Sequence, residues 1–207
     1  MLRPLVKICG ITKTEQAIEI SEMGVDALGF VLHKGSKRYI DPEKLQEIIK
    51  PLPPYLKTVG VFVNEDPENL IKIMRQTALD LAQLHGDEDE KYCAYLTKNA
   101  INWVKALRVK DKPNLKGLKQ YNCSHFHLDA FSKGVYGGSG ETFDWELAKE
   151  ISEKYKIILS GGLNENNIKD AVKKLKPYAV DISSGVEIKP GIKSIEKIKT
   201  LLACLND

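Results

Sequence analysis

The chain has 207 residues, of which 43% are hydrophobic, and its 31 basic and 28 acidic residues leave a net charge of only +3. This length suits one α/β barrel domain with a full core, and so small a net charge indicates no nucleic-acid partner. No apolar run approaches the roughly 20 residues that cross a bilayer, and the N-terminus lacks a secretory h-region. We therefore expect a cytoplasmic protein with no membrane partner.

The four cysteines, Cys9, Cys93, Cys123 and Cys204, are far apart and form no CxxC pair. Such spacing predicts neither a zinc site nor a disulfide framework, and it is typical of a reducing compartment. We expect no metal site.

Short apolar runs alternate along the chain with amphipathic stretches. The predicted strands are Leu5–Cys9, Ala27–Leu32, Thr58–Val63, Leu79–Leu84, Trp103–Leu107, His125–Ala130, Ile157–Ser160 and Ala179–Ser183. The predicted helices are Glu15–Met23, Pro42–Ile49, Pro67–Thr77, Glu88–Lys98, Asn114–Gln120, Trp145–Lys154, Glu165–Leu175 and Ile195–Leu205. Asp41-Pro42 and Asp66-Pro67 supply an N-cap followed by proline at the first helical position, and Asn164 is expected to cap the seventh helix.

Eight apolar strands, each followed by a helix, predict a parallel sheet that is buried on both faces. Closing the eight units gives a (β/α)8 TIM barrel, which we expect as a single α/β domain over residues 1–207. An open doubly wound sheet is the alternative fold, but no GxGxxG follows the first strand.

Active sites of such barrels lie at the C-terminal ends of the strands, where Cys9 ends the first strand. Residues two apart share a strand face, so Lys7 and Cys9 should point inward and Val6 and Ile8 toward the helices. The same alternation places further polar residues inside: Gln83 and His85 on the fourth strand, His125, His127 and Asp129 on the sixth, and Asp181 and Ser183 on the eighth. Because a purely structural barrel fills these layers with branched apolar residues, this set indicates a site.

Two glycine-bearing loops follow the seventh and eighth strands, S-G-G-L-N from Ser160 and D-I-S-S-G-V from Asp181. Small residues let backbone N–H groups approach an anion, and phosphate sites of barrels often lie after these two strands. The candidate phosphate-binding residues are Gly161, Gly162, Ser183, Ser184 and Gly185. The alternative is that the glycines only serve tight turns.

Two other loops carry candidates. Arg38 lies in the loop after the second strand, within reach of the barrel mouth, and its guanidinium suits a carboxylate better than a lysine does. G-G-S-G, residues 137–140, has the composition of a lid or of a flexible crossing.

These stretches together resemble the phosphoribosylanthranilate isomerase family of tryptophan biosynthesis. The motifs that carry the resemblance are V-K-I-C-G-I-T, D-A-L-G-F-V with S-K-R-Y-I, V-G-V-F-V-N, Q-L-H-G, H-L-D, G-G-S-G-E-T-F-D-W, L-S-G-G-L and V-D-I-S-S-G-V-E with K-P-G. They run in order from Val6 to Gly191 and so cover nearly the whole chain. The family often has an acidic residue soon after K-P-G; here Ser194 stands there, and we interpret it as a helix cap.

The resemblance implies an Amadori rearrangement of N-(5-phosphoribosyl)anthranilate to its 1-deoxyribulose 5-phosphate isomer, with no cofactor. It implies Cys9 as general base, Asp129 as general acid, Arg38 on the anthranilate carboxylate, and the two glycine-bearing loops on the phosphate. A small-molecule substrate is the implied partner, and the chain is expected as a monomer or a homodimer.

Lys7, Gln83, His85 and Asp181 are assigned to the wall or support of the site. A thiol is a weak base at neutral pH, so we expect Lys7 to lower the pKa of Cys9. A general acid needs the opposite change, so we expect a raised pKa for Asp129.

Two other functions compete with this interpretation. A Schiff-base aldolase-type barrel would use Lys7 or Lys105, which both can face inward. A non-catalytic sugar-phosphate-binding barrel would keep the phosphate loops without needing a paired base and acid.

Overall fold

The computed structural model describes residues 3–109, 115–130 and 145–206. Eight parallel strands pair in chain order, and the last pairs with the first, so that the sheet closes into a barrel. The strands are β1 Leu5–Cys9, β2 Ala27–Val31, β3 Lys57–Phe62, β4 Leu81–Leu84, β5 Trp103–Val109, β6 His125–Ala130, β7 Lys156–Leu159 and β8 Ala179–Ile182. The predicted (β/α)8 fold is confirmed.

Helices connect the strands, beginning with α1 Thr14–Ser21, α2 Pro42–Ile49, α3 Pro67–Thr77 and α4 Glu90–Lys98. The others are α5 Leu115–Leu118, α6 Trp145–Ser152, α7 Ile168–Leu175 and α8 Ile195–Asn206. Among the described helices none is both long and apolar enough to cross a membrane.

The helix starts of α2 and α3 follow the predicted chemistry. Asp41 accepts a hydrogen bond from the N–H of Glu43, and Asp66 accepts from the N–H groups of Glu68 and Asn69. Each aspartate thus satisfies N–H groups that the first helical turn leaves unpaired.

Strand alternation sorts apolar from polar side chains in β1. Val6 and Ile8 are fully buried in the layer between the barrel and its helices. Lys7 is also buried, but it hydrogen-bonds to side chains of β4 and β8 across the barrel interior. The predicted facing of this strand is therefore confirmed.

The predicted start of α7 at Glu165 is wrong, because the asparagines before it build a separate turn. Asn167 accepts through Oδ1 from the N–H of Asn164, and Asn164 accepts through Oδ1 from the N–H of Asn166. The helix consequently begins at Ile168.

Two further details concern segments outside the barrel strands. A hairpin of β9 Glu187–Lys189 and β10 Ile192–Lys193 was not predicted. Ser194 accepts from the N–H of Lys197 at the start of α8, as its interpretation as a cap requires.

The G-G-S-G segment, residues 137–140, lies outside the described residues.

Candidate active site

A cleft of about 720 Å³ opens where the barrel strands end. The described residues that line it are Cys9, Val31, His33, Ser36, Arg38, Val61, Val63, Gln83, His85, His127, Asp129, Ser160, Gly161, Gly162, Leu163, Asp181, Ser183, Ser184 and Gly185. Of the polar residues predicted to form the site, only Lys7 and His125 are absent from this lining. The structure therefore brings predicted residues from six strands and their loops to one place.

Cys9 is the last residue of β1 and pairs in register with Gly29 of β2. A Cβ at Gly29 would lie 2.7 Å from the Cys9 sulfur and 2.9 Å from Lys7 Nζ. Both distances are shorter than real Cβ contacts, so only glycine leaves room for the thiol and the ammonium side by side.

Burial raises the pKa of Cys9 above its ordinary value, although the ammonium groups of Lys7 and Lys193 oppose the effect. The expected lowering of the Cys9 pKa by Lys7 is thus outweighed by burial. The reason is desolvation, which penalises a thiolate in a buried position.

Lys7 lies beneath the cleft and donates from Nζ to Gln83 Oε1 at 2.9 Å and to Asp181 Oδ2 at 2.8 Å. Burial by itself would lower the pKa of Lys7, but Asp181 and Cys9 together outweigh it and the pKa is raised. Lys7 is therefore a buried ammonium that supports the site from below.

Asp129, near the end of β6, meets His85 Nε2 at 3.0 Å through Oδ2 and Ser160 Oγ at 3.1 Å through Oδ1. Burial favours a raised pKa for Asp129, but the hydrogen bonds from His85 and Ser160 contribute to lowering it overall. The expected rise is therefore wrong, and the carboxyl group is ionised at neutral pH.

Asp181 also binds His127, whose Nε2 lies 2.8 Å from Asp181 Oδ2. Burial lowers the pKa of His127, so its ring is neutral and donates through Nε2–H. Burial opposes ionisation of Asp181, but Lys7 and His127 hold its pKa well below the usual range. The sequence placed His127 inside the barrel without assigning it a role; His125, at the other end of β6, contacts Ser124 and Tyr178 instead.

The two glycine-bearing loops lie against each other on one side of the cleft. Gly161 and Gly162 have φ of +91° and +63°, a region that favours glycine. A Cβ at Gly185 would lie 1.9 Å from the carbonyl oxygen of Leu163, so the second loop packs directly on the first. Ser183, Ser184 and both loops remain partly exposed to the cleft.

Arg38 lies at the cleft wall, but part of its guanidinium is already engaged. Its Nε and Nη2 donate to the two carboxylate oxygens of Glu187 at 2.9 and 2.6 Å. Glu187 also accepts from the buried ammonium of Lys193 at 2.7 Å and from the N–H of Gly191 at 3.1 Å. Glu187 and Lys193 were not predicted as site residues, although both lie in the segment that includes the S-S-G-V-E and K-P-G motifs.

Lys105, the other lysine considered for covalent chemistry, is turned away from the cleft. Its Nζ donates to the carbonyl oxygens of Leu84 and Gly86 and to Glu88 Oε2, at 3.1, 2.8 and 2.9 Å. Three acceptors use all three ammonium hydrogens. In the described part of the chain no group of three or more His, Cys, Asp or Glu side chains is arranged to hold a metal ion.

A family model described as N-(5'-phosphoribosyl)anthranilate (PRA) isomerase matches residues 6–203. Curated proteins named N-(5'-phosphoribosyl)anthranilate isomerase are similar along nearly their full length. That of Trichlorobacter lovleyi is 44% identical over 95% of both chains, and that of Thermoanaerobacter pseudethanolicus is 45% identical over 95% of both.

Solved structures agree with these similarities. The phosphoribosyl anthranilate isomerase of Thermotoga maritima superposes with a TM-score of 0.90 at 38% identity, over 98% of both chains. An isomerase in complex with reduced 1-(o-carboxyphenylamino)-1-deoxyribulose 5-phosphate superposes with a TM-score of 0.85 at 37% identity, again over 98% of both. A structure described as mutually generated monomers of the dimeric Thermotoga maritima isomerase gives a TM-score of 0.87 at 37% identity and the same coverage.

Proposed function

This chain belongs to the N-(5'-phosphoribosyl)anthranilate isomerase family, whose members are isomerases of tryptophan biosynthesis, and from that membership we propose its reaction and mechanism. The reaction is the Amadori rearrangement of phosphoribosylanthranilate, with Asp129 as general acid and Cys9 as general base. The observation that carries the proposal is that these two residues, at the ends of β6 and β1, line one cleft. An isomerisation by two proton transfers needs neither a metal nor a redox group.

Asp129 acts first, when the furanose ring opens. The C1–O bond breaks as Asp129 gives a proton to the ring oxygen, and the nitrogen lone pair forms a C1=N bond. The positively charged imine then acidifies the hydrogen on C2.

Cys9, in its thiolate form, accepts the C2 hydrogen as a proton. The electrons of the C2–H bond move toward the nitrogen and give an enolamine. The enolamine becomes the ketone when C1 takes up one proton and the C2 hydroxyl group gives one up, so this step changes no net charge. The ammonium of Lys7 lies beside the thiol and stabilises the thiolate form, while burial makes that thiolate a strong base.

The phosphate of the substrate is proposed to bind the glycine-bearing loops at Gly161, Gly162, Ser183, Ser184 and Gly185. Backbone N–H groups in such loops approach an anion closely because no Cβ intervenes. The carboxylate of the substrate is proposed to bind Arg38, through guanidinium hydrogens outside its pair with Glu187.

The test is to incubate the protein with freshly made phosphoribosylanthranilate. The reaction is monitored by the loss of fluorescence, and the product is identified by chromatography beside the authentic ketose isomer. Formation of that isomer is expected. Binding without turnover would favour a non-catalytic barrel. A lysine adduct trapped by borohydride would favour the aldolase-type barrel, which the contacts of Lys7 and Lys105 disfavour.

A further inference from the structure

A line of hydrogen bonds runs from Lys7 through Gln83 and His85 to Asp129. We propose that Gln83 is a positioning residue that keeps His85 in its neutral Nε2–H form, so that a proton taken up by the His85–Asp129 pair resides on Asp129. The proposal rests on the proposed role of Asp129 as general acid, and it explains how a carboxyl group beside a histidine can hold a proton.

Lys7 fixes the orientation of the Gln83 amide. An ammonium has hydrogens to donate and no lone pair, so the atom that faces Lys7 Nζ at 2.9 Å must be the carbonyl oxygen of Gln83. The NH2 group of Gln83 therefore faces His85 Nδ1, at 3.0 Å.

His85 then has one compatible form. Its Nδ1 must accept from the Gln83 amide, which places the ring hydrogen on Nε2, 3.0 Å from Asp129 Oδ2. A protonated ring would set an N–H at Nδ1 against the N–H of Gln83. These side chains are buried, so two opposed donors would stay unsatisfied at a substantial cost.

Asp129, unlike His85, can hold the additional proton with its hydrogen-bond partners satisfied. Ser160 Oγ lies 2.9 Å from the carbonyl oxygen of Leu128 and 3.1 Å from Asp129 Oδ1, and it has only one hydrogen. When that hydrogen points to the Leu128 carbonyl, the lone pairs of Oγ face Oδ1 and can accept an O–H from a protonated carboxyl group.

The charged and titratable groups around His85 also favour its neutral Nε2–H form. Asp129 accepts its Nε2–H, the neutral His127 ring lies with its centroid 5.7 Å away, and the ammonium of Lys7 lies beyond Gln83. Asp181 is already bonded to both Lys7 and His127. No second carboxylate among these groups is available to stabilise an imidazolium at His85.

The proton balance follows directly. Asp129 gives its proton to the ring oxygen of the substrate, the C1–O bond breaks with its electron pair on oxygen, and the carboxylate that remains keeps the Nε2–H bond from His85. Solvent returns a proton to Asp129 before the next turnover.

The test uses 15N NMR of histidine-labelled protein without ligand, with the His85 signals assigned by their loss in His85→Asn. At pH 7 we expect an unprotonated Nδ1 and a protonated Nε2. Either an imidazolium or an Nδ1–H form at His85 in the unmodified protein would overturn the proposal, whatever the activity.

Gln83→Glu supplies the decisive comparison, since its carboxylate can accept from Nδ1–H while still binding Lys7. We expect an imidazolium at His85 and a fall in kcat of about 10²-fold, with KM little changed, because the proton then resides on His85. Gln83→Leu removes the opposing amide without adding an acceptor, so a larger fraction of His85 should carry a proton on Nδ1 than in the unmodified protein, but a smaller fraction than in Gln83→Glu. An unprotonated Nδ1 or an unchanged kcat in folded Gln83→Glu would contradict the proposal. Failure of the proposed function is distinguished by Asp129→Asn, which would then keep its turnover.

Discussion

Lys7 Nζ lies 2.8 Å from Asp181 Oδ2, and this buried ion pair joins the first strand to the last at the place where the barrel closes. The same ammonium lies beside the thiol of Cys9 and donates to Gln83, which continues through His85 to Asp129. A single positive charge thus contacts the proposed base directly and the proposed acid through two side chains.

Replacing Lys7 by methionine should make Cys9 harder to ionise. The ammonium is the largest influence that opposes the effect of burial on the Cys9 pKa, and an opposite charge this close changes an ionisation equilibrium by about tenfold or more. We expect alkylation of Cys9 by iodoacetamide at pH 8 to be at least about tenfold slower than in the unmodified protein. Mass spectrometry measures the rate. Cys204 in the same sample is the internal control, and an unchanged rate at Cys9 would exclude this role for Lys7.

The pH dependence of kcat/KM should be level through the neutral range. The pKa of Asp129 is lowered and that of Cys9 is raised, so between the two values the protonated acid becomes rarer with rising pH as fast as the thiolate becomes commoner. Activity should fall only below the ordinary range of aspartate, about 3.9, and above that of cysteine, about 8.5. A single titration with a midpoint near neutral pH would contradict this pair of assignments.

Gly29→Ala should damage catalysis by displacing the thiol. The new Cβ would meet the Cys9 sulfur at 2.7 Å, and a misplacement of about 1 Å can cost about 10²-fold in rate. Gly60→Ala is the matched control, because its Cβ would meet Leu79, Phe62 and Leu32 at similar distances. Both should lower the free energy of unfolding by about 1–3 kcal/mol. Equal kcat/KM values for the two folded variants would show that Gly29 makes no special room for Cys9.

Gly185→Ala should weaken the grip on the phosphate. The Cβ would fall 1.9 Å from the Leu163 carbonyl oxygen, so the two loops must separate. Losing one hydrogen bond to a charged group costs about 1.5–3 kcal/mol, which corresponds to a KM at least about tenfold higher. Gly24→Ala is the control, since Gly24 has φ of +79° but nothing within 4 Å, and it should cost stability without changing KM. An unchanged KM in Gly185→Ala would place the phosphate elsewhere.

The barrel and the inward direction of its polar residues were predictable because both depend on local sequence. A period of two along β1 separates Val6 and Ile8 from Lys7 and Cys9 without knowledge of any partner. The same rule placed Asp129 inside the barrel from the sixth strand alone.

Other features depend on contacts between distant residues, and a single sequence does not reveal these. Glu187 and Arg38 form an ion pair although they are 149 positions apart in the chain, so the sequence around one residue does not predict its pairing with the other. The pKa directions of Cys9 and Asp129 depend on how deeply each is buried and on which hydrogen bonds compensate, and facing alone gives neither. The start of α7 was missed because the side chains of Asn164 and Asn167 build a turn ahead of the helix, and apolar spacing alone does not reveal such a turn.

The central claim is that Cys9 and Asp129 carry the two proton transfers in one cleft. The most direct measurement is kcat on phosphoribosylanthranilate for Cys9→Ala and Asp129→Asn, beside the Kd of reduced 1-(o-carboxyphenylamino)-1-deoxyribulose 5-phosphate for each. We predict that each substitution lowers kcat by about 10²–10⁴-fold while the Kd stays within a few-fold of that of the unmodified protein. Turnover at the unmodified rate in either folded variant would contradict the account.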